Sequence, residues 1–183
     1  AKKINALRET CIGLQLQEIL TFTLSSKNAQ ETKLNLKNQE FAEIANPMSE
    51  NYSIYRKSLI SNALDFLSKN KDVEFPQKVF EIGKTIELDP ASENGVSEKT
   101  MLCIAICHSK TNFSEIKSHF EAIVESIGVK AEYKAITHSA FENGRTAEAI
   151  ISGKKAVLGE INKNVLKNFQ IDLPVTILEM EVE

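Results

Sequence analysis

The sequence KVFEIGKTIEL, residues 78–88, alternates between apolar and polar side chains. Phe80, Ile82, Ile86 and Leu88 fall on one side of this alternation, and Glu81 begins the polar side. A period of two residues predicts a half-buried β-strand. The cluster DPASENG, 89–95, contains the residue types of a turn, so the strand ends there.

Helices and strands interleave on both sides of this strand. The spacing of apolar residues predicts helices and strands in mixed order along the chain. Helices are expected at 3–16, 26–31, 58–67, 113–127 and 162–169. Strands are expected at 19–24, 41–45, 78–88, 101–107, 131–137, 147–151, 156–160 and 174–182. Hairpin-like spacing near the end favours an α+β fold, an antiparallel β-sheet flanked by helices, in a single domain over residues 1–183.

Composition excludes several classes of protein. The net charge of −3 argues against a dedicated nucleic-acid binder, in which a basic excess is expected. No apolar run approaches the roughly 20 residues that span a bilayer. Cys11, Cys103 and Cys107 are too few and too scattered for a disulfide framework, so we expect buried thiols and a cytoplasmic protein. Because the chain begins with Ala1 and not with Met, we expect a piece of a longer polypeptide or a processed one.

The sequence lacks the common motifs of catalytic and metal-binding sites. It contains no phosphate-binding glycine loop, no zinc-binding histidine pattern and no serine elbow. Glu81, Glu179 and Glu181 would share one surface if their strands were neighbours, and the simplest interpretation is a solvated strand face. We therefore expect no catalytic, cofactor-binding or metal-binding residue in this chain.

The segment NPMSENYSIYRKSL, 46–59, leaves two interpretations open. It begins with a turn and leads into an apolar helical run, so it is an entry to a helix. It also places Tyr52, Tyr55, Arg56 and Lys57 close together, which would suit contact with an acidic partner such as RNA.

Four blocks of the sequence, in this order and spacing, resemble a known family. They are residues 46–70, 78–88, 143–169 and 177–182, and they include Asn46-Pro47, Arg56, Phe80-Glu81-Ile82-Gly83, Gly144-Arg145 and Gly159-Glu160. Together they resemble the C-terminal region of the phenylalanyl-tRNA synthetase beta subunit, of the archaeal and eukaryotic kind. The resemblance covers essentially the whole chain.

The resemblance implies a fold like the class II aminoacyl-tRNA synthetase catalytic domain, in a copy that is not catalytic. ATP and Mg²⁺ would be used by the alpha subunit, which with tRNA(Phe) is the expected partner. Active class II sites carry a Phe-Arg-x-Glu strand motif, whereas this chain has Phe80-Glu81-Ile82-Gly83. Glutamate thus replaces an arginine that would neutralise the anionic reactants, and no glycine-rich arginine segment follows the last strand.

Because no catalytic role is expected, the remaining candidate residues are assigned structural or interface roles. The first helix has a narrow seam of Ile4, Leu7, Cys11 and Leu14, which could pack on a partner helix as easily as on its own core. The resemblance assigns this helix to a subunit interface, and an isolated chain could also self-associate through the seam. Tyr52, Tyr55 and Arg56 are expected to contact the sheet or the alpha subunit, and Glu81 is counted as structural. We expect Arg56 to form a buried ion pair. A stand-alone amino-acid-activating paralogue and an RNA-binding module are the alternative functions.

Overall fold

The computed structural model describes residues 2–182. Its α-helices are α1 Lys2–Gly13, α2 Ile60–Lys69, α3 Phe113–Ser126 and α4 Lys163–Asn168. Its strands are β1 Gln17–Glu18, β2 Leu24–Ser25, β3 Ile54–Tyr55, β4 Gln77–Leu88, β5 Val96–Cys107, β6 Ala131–Ala135, β7 Phe141–Ile151, β8 Lys154–Ile161 and β9 Val175–Glu181. A π-helical turn covers Asn28–Thr32 and a 3-10 turn covers Glu50–Tyr52.

Seven strands form one sheet, in the order β1-β4-β5-β9-β8-β7-β6. Every neighbouring pair is antiparallel except β1 with β4, which is parallel. β2 and β3 form a separate two-stranded sheet. The expected α+β fold, an antiparallel sheet flanked by helices, is confirmed.

Helices cover the sheet on both faces, and each face has its own apolar core. On β5, Leu102, Ile104 and Ile106 face the core that contains α1 and α3. Cys103, Ala105 and Cys107 face the opposite core, which contains α2 and α4. A strand that is buried on both faces reads as a continuous apolar run, and that is why MLCIAIC is recognisable in the sequence.

Local signals set the ends of α3. The Asn112 side chain accepts a hydrogen bond from the Glu115 amide at 3.1 Å, and Gly128 adopts a left-handed φ of +69° after the helix. Asn112 and Glu115 have the spacing of a capping box, but the Glu115 side chain turns instead to His108 and Lys78. Burial opposes ionisation of Glu115, and these hydrogen bonds outweigh it, so the pKa of that carboxyl is lowered.

Two predicted strands are wrong in part. Of residues 19–24, only Leu24, at the start of β2, belongs to a strand. Residues 41–45 contribute one isolated bridge, between Glu43 and Ile54. Both segments carry strand-like side chains, but they lie beside the main sheet, where too few backbone partners are available to extend a ladder.

The seam of the first helix packs on this chain's own core, and its role at a subunit interface stays a prediction. Leu7 and Cys11 are fully buried against this chain's own sheet and α3, and Ile4 and Leu14 pack partly buried beside them. Four apolar residues in a narrow stripe predict that a helix packs on something, but the stripe does not identify what it packs on. Within residues 2–182, no helix has both the length and the apolar character to cross a membrane.

Candidate functional site

The side chains of Glu81, Glu179 and Glu181 lie on one face of the sheet, but they differ in solvent exposure. In the strand register Glu81 lies opposite Cys103, and Cys103 lies opposite Glu179. β4 and β9 are therefore separated by β5 and are not neighbours. Glu81 and Glu179 are buried, so the expectation of a solvated face is wrong for both, and only Glu181 is partly exposed.

Arg56 and Glu81 form a buried ion pair over this face. Arg56 Nη1 donates to Glu81 Oε1 at 2.9 Å, and each side chain is only 2% exposed. Arg56 Nε donates to the Lys84 carbonyl at 2.8 Å, which lays the guanidinium along β4. The structure thus agrees with the expected ion pair of Arg56 and identifies its partner.

Thr21, in the segment before β2, forms hydrogen bonds with both members of the Arg56–Glu81 pair. Its hydroxyl donates to Glu81 Oε2 at 2.6 Å, and it accepts from Arg56 Nη1 at 2.8 Å and Asn62 Nδ2 at 3.0 Å. One donor and two acceptor positions are all that a hydroxyl has, so Thr21 is saturated. Asn62 also donates to the Phe22 carbonyl at 3.1 Å, which fixes the backbone of the same segment.

Gly83 provides the space in which the guanidinium lies. A Cβ built on Gly83 would lie 2.3 Å from Arg56 Nη2 and 3.0 Å from Glu81 Oε1. Any other residue at this position would therefore collide with the ion pair. Gly83 occupies the fourth position of Phe80-Glu81-Ile82-Gly83, where the active motif has a glutamate, so both polar positions of that motif differ here.

Glu179 holds the beginning of α2. Glu179 Oε1 accepts from the Leu59 amide at 2.6 Å, and the Ser58 hydroxyl donates to the same carboxylate at 3.1 Å. Ser58 Oγ in turn accepts from the Ile60 amide at 3.1 Å. Helix N-terminal amides lack partners within the helix, and a carboxylate from β9 supplies one here. Burial raises the pKa of Glu179 to about 7, although its hydrogen bonds and the charge of Arg56 act in the opposite direction.

Gln30 and Ser61 connect the hydrogen bonds around Glu179 to those around Arg56, because the Ser61 hydroxyl donates to Asn62 Oδ1 at 3.4 Å. The Gln30 amide nitrogen donates to the Ser58 carbonyl at 3.0 Å and to Ser61 Oγ at 2.5 Å, and its oxygen accepts from the Ser58 amide at 3.1 Å. We call the connected set the polar cluster. Its members are Thr21, Gln30, Arg56, Ser58, Ser61, Asn62, Glu81 and Glu179.

The buried polar atoms of the polar cluster all have hydrogen-bond partners within the chain. Among the described residues, no buried side-chain nitrogen or oxygen lacks a hydrogen-bond partner, and no group of three or more metal-binding side chains comes together. Burial and the neighbouring carboxylates of Glu179 and Glu81 raise the pKa of Cys103 well above its usual value, which keeps it a neutral thiol. The polar cluster can therefore hold β4, β9 and the beginning of α2 together. Its only guanidinium, that of Arg56, is already paired with the Glu81 carboxylate.

The tyrosines of the 46–59 segment lie outside the polar cluster. Tyr52 is about half exposed and meets the exposed Phe22 edge to face, with 5.9 Å between ring centroids. Tyr55 is half buried in β3. We call Leu20, Phe22 and Tyr52 the apolar surface, because Leu20 is 89% and Phe22 74% exposed. Sequence reasoning missed Leu20 and Phe22, although the alternation of ILTFTL, 19–24, gave the signal.

Comparisons with known proteins agree with this architecture. The phenylalanine–tRNA ligase beta subunit of Thermococcus sibiricus is 35% identical over 177 residues, 96% of this chain and 32% of that protein. The beta subunit of Methanocella arvoryzae is 37% identical over 182 residues, 97% of this chain and 33% of that protein. The chain therefore spans about a third of the length of these curated relatives.

A solved structure shares the fold. It is PylSc, a pyrrolysyl tRNA synthetase of Desulfitobacterium hafniense, with a TM-score of 0.76 over 98% of this chain and 65% of that chain. At 16% identity this similarity concerns the fold, which is that of a class II synthetase. A family model described as the phenylalanyl tRNA synthetase beta chain CLM domain matches residues 1–182. The chain therefore belongs to the family of phenylalanyl-tRNA synthetase beta chain CLM domains.

Proposed function

We propose that this chain is a non-catalytic synthetase-like module that supports assembly with a catalytic alpha subunit, in a cytoplasmic enzyme that attaches phenylalanine to tRNA(Phe). ATP and Mg²⁺ are used by the alpha subunit and not by this chain. The observation that carries the proposal is the buried Arg56–Glu81 pair on the sheet face.

Electrostatics supports the absence of amino-acid activation here. Activation brings a carboxylate up to the α-phosphate of ATP, so the site must neutralise negative charge. Glu81 stands where the active motif has arginine, and Arg56 is already neutralised by it at 2.9 Å. A stand-alone activating enzyme, the main alternative, would have to break this pair and supply another cation.

The apolar surface supports a role in assembly. Leu20, Phe22 and Tyr52 are large, exposed and adjacent to one another, and exposed apolar patches mark protein contacts. Thr21 lies between two of them and is fixed by Glu81 and Arg56. The polar cluster therefore holds in place a segment whose outward side chains are free to meet a partner, for which the alpha subunit is our candidate.

Co-expression with the alpha subunit tests the proposal. The beta subunit that contains this chain is tagged, and the recovered alpha subunit is quantified. The double variant Leu20→Ser/Phe22→Ser should lose at least about tenfold in recovered alpha subunit, because truncating a large anchoring side chain at the centre of an interface costs about 2 kcal/mol or more. Leu88→Ser is the matched control, since Leu88 is exposed at the far end of β4. Equal recovery for all three proteins would count against the apolar surface, and no recovery of alpha subunit by the unmodified protein would count against assembly.

A further inference from the structure

β6 leaves one edge of the sheet open. The seven-stranded sheet ends at β6, Ala131–Ala135, which pairs with β7 alone. Residues 132–135 of this strand are exposed. An uncovered edge strand presents backbone groups that can pair with another strand.

The backbone groups that point outward on β6 can be identified from its pairing with β7. The Ile136 amide donates to the Thr146 carbonyl at 3.4 Å, directly after the paired residues. Hydrogen-bonded and non-hydrogen-bonded pairs alternate along an antiparallel ladder, so residues 132 and 134 turn their backbone groups to β7. Ala131, Tyr133 and Ala135 therefore present theirs to the free edge.

The side chains of this edge are complementary to themselves. If two copies pair antiparallel about Tyr133, Glu132 of each lies opposite Lys134 of the other, and Ala131 lies opposite Ala135. The outward backbone groups then form about six hydrogen bonds. The two Glu–Lys pairs fall at non-hydrogen-bonded positions, where facing side chains are closest. We propose that this chain dimerises through β6, with a second copy as the occupant of the open edge.

Other registers are unfavourable. A shift by two residues places Glu132 opposite Glu132 or Lys134 opposite Lys134, and like charges opposite each other destabilise a sheet. A shift by one residue places each residue opposite one that faces the other side of the sheet. The charges of Glu132 and Lys134 thus disfavour pairing of β6 with other strands or in other registers. They are compatible with the antiparallel pairing of two copies about Tyr133.

The neighbourhood of β6 is compatible with this pairing. Tyr133 turns to α3, where it meets Phe120 edge to face at 5.9 Å and lies under Lys117 Nζ at 4.7 Å. The two-fold axis places the two Tyr133 rings side by side as a cross-strand aromatic pair. Glu148, the β7 residue opposite Lys134, is paired with Lys155 at 3.5 Å, so it does not depend on Lys134.

Charge reversal with sedimentation analysis tests the dimer. The chain of residues 1–183 is measured up to about 1 mM, because short interfaces give weak dissociation constants. Glu132→Lys and Lys134→Glu each place like charges opposite one another, and each should raise the dimer dissociation constant about tenfold or more. The double variant E132K/K134E restores opposite charges and should dimerise like the unmodified chain. Lys163→Glu on α4 changes the net charge as Lys134→Glu does and is the control for that variant. Circular dichroism checks that each variant is folded.

The two single variants also complement each other. In an equimolar mixture, both lysines of Glu132→Lys face both glutamates of Lys134→Glu, so a heterodimer should form from two chains that self-associate poorly. A monomeric unmodified chain at every concentration would overturn the proposal. So would single variants that dimerise as well as the unmodified chain, or a mixture that shows no heterodimer.

Discussion

Replacing Arg56 by alanine should destabilise the fold far more than removing an ordinary surface arginine. The change leaves the Glu81 carboxylate buried, with only the Thr21 hydroxyl and amide still donating to it. It also removes the donor to the Lys84 carbonyl. Removing one partner of a buried ion pair costs about 3–5 kcal/mol. For a chain of this length the melting temperature should fall by roughly 6–20 °C.

Urea unfolding, followed by circular dichroism, measures this cost, and a double-mutant cycle with Glu81→Leu isolates the pair. The cycle uses Arg56→Met, Glu81→Leu and the two together; because the double variant buries no unpaired charge, its cost should fall short of the summed costs of Arg56→Met and Glu81→Leu by about 2 kcal/mol. Arg145→Ala is the control, because Arg145 is exposed and its contact with Glu160 is long, at 3.4 Å; its cost should stay below about 1 kcal/mol. Equal costs for Arg56→Ala and Arg145→Ala, or strictly additive single variants, would refute the reasoning.

Two further predictions concern the same sheet face. Gly83→Ala places a Cβ 2.3 Å from Arg56 Nη2 and should lower the free energy of unfolding in urea by about 1–3 kcal/mol. Gly13→Ala is the control, because nothing lies within 4 Å of its Cβ, and it should not destabilise the protein. A Gly83→Ala protein of unchanged stability would mean that the Arg56 guanidinium does not lie beside Gly83. The pKa of Glu179 is raised to about 7 in the fold, so the folded chain binds the proton more tightly than the unfolded one. Its contribution therefore makes the free energy of unfolding fall as pH rises from about 4.5 to about 7 and stay level above that. Glu179→Gln should remove this slope between about pH 4.5 and about pH 7, and an unchanged slope would contradict the buried ionisable carboxyl.

Periodicity predicted the long elements of this fold and missed those that depend on distant partners. β4, α2 and α3 are long enough for their alternation or helical spacing to be unambiguous, and the continuous apolar run of residues 101–107 indicated the buried half of β5. Residues 19–24 alternate equally well, but a strand also needs a neighbour, and this segment bonds mainly to the side chains of Glu81, Arg56 and Asn62.

The sequence pointed to individual residues of the candidate site, but it did not predict how they contact one another. Arg56 was identified as one half of a buried ion pair, but its partner is 25 residues away and the sequence gives no register between them. Glu81 and Glu179 looked like a solvated face because alternating glutamates are typical of exposed strands. Their burial depends on α2 and on Thr21 crossing over them, which are tertiary contacts.

Phenylalanine-dependent exchange of pyrophosphate into ATP, measured on the isolated chain with Mg²⁺, tests the proposed role most directly. We expect no exchange above a protein-free blank, while the complete alpha–beta enzyme in the same assay is active. Exchange that increases with the amount of the isolated chain would contradict the non-catalytic role, because it would require a cation at the position that Glu81 and Arg56 have closed.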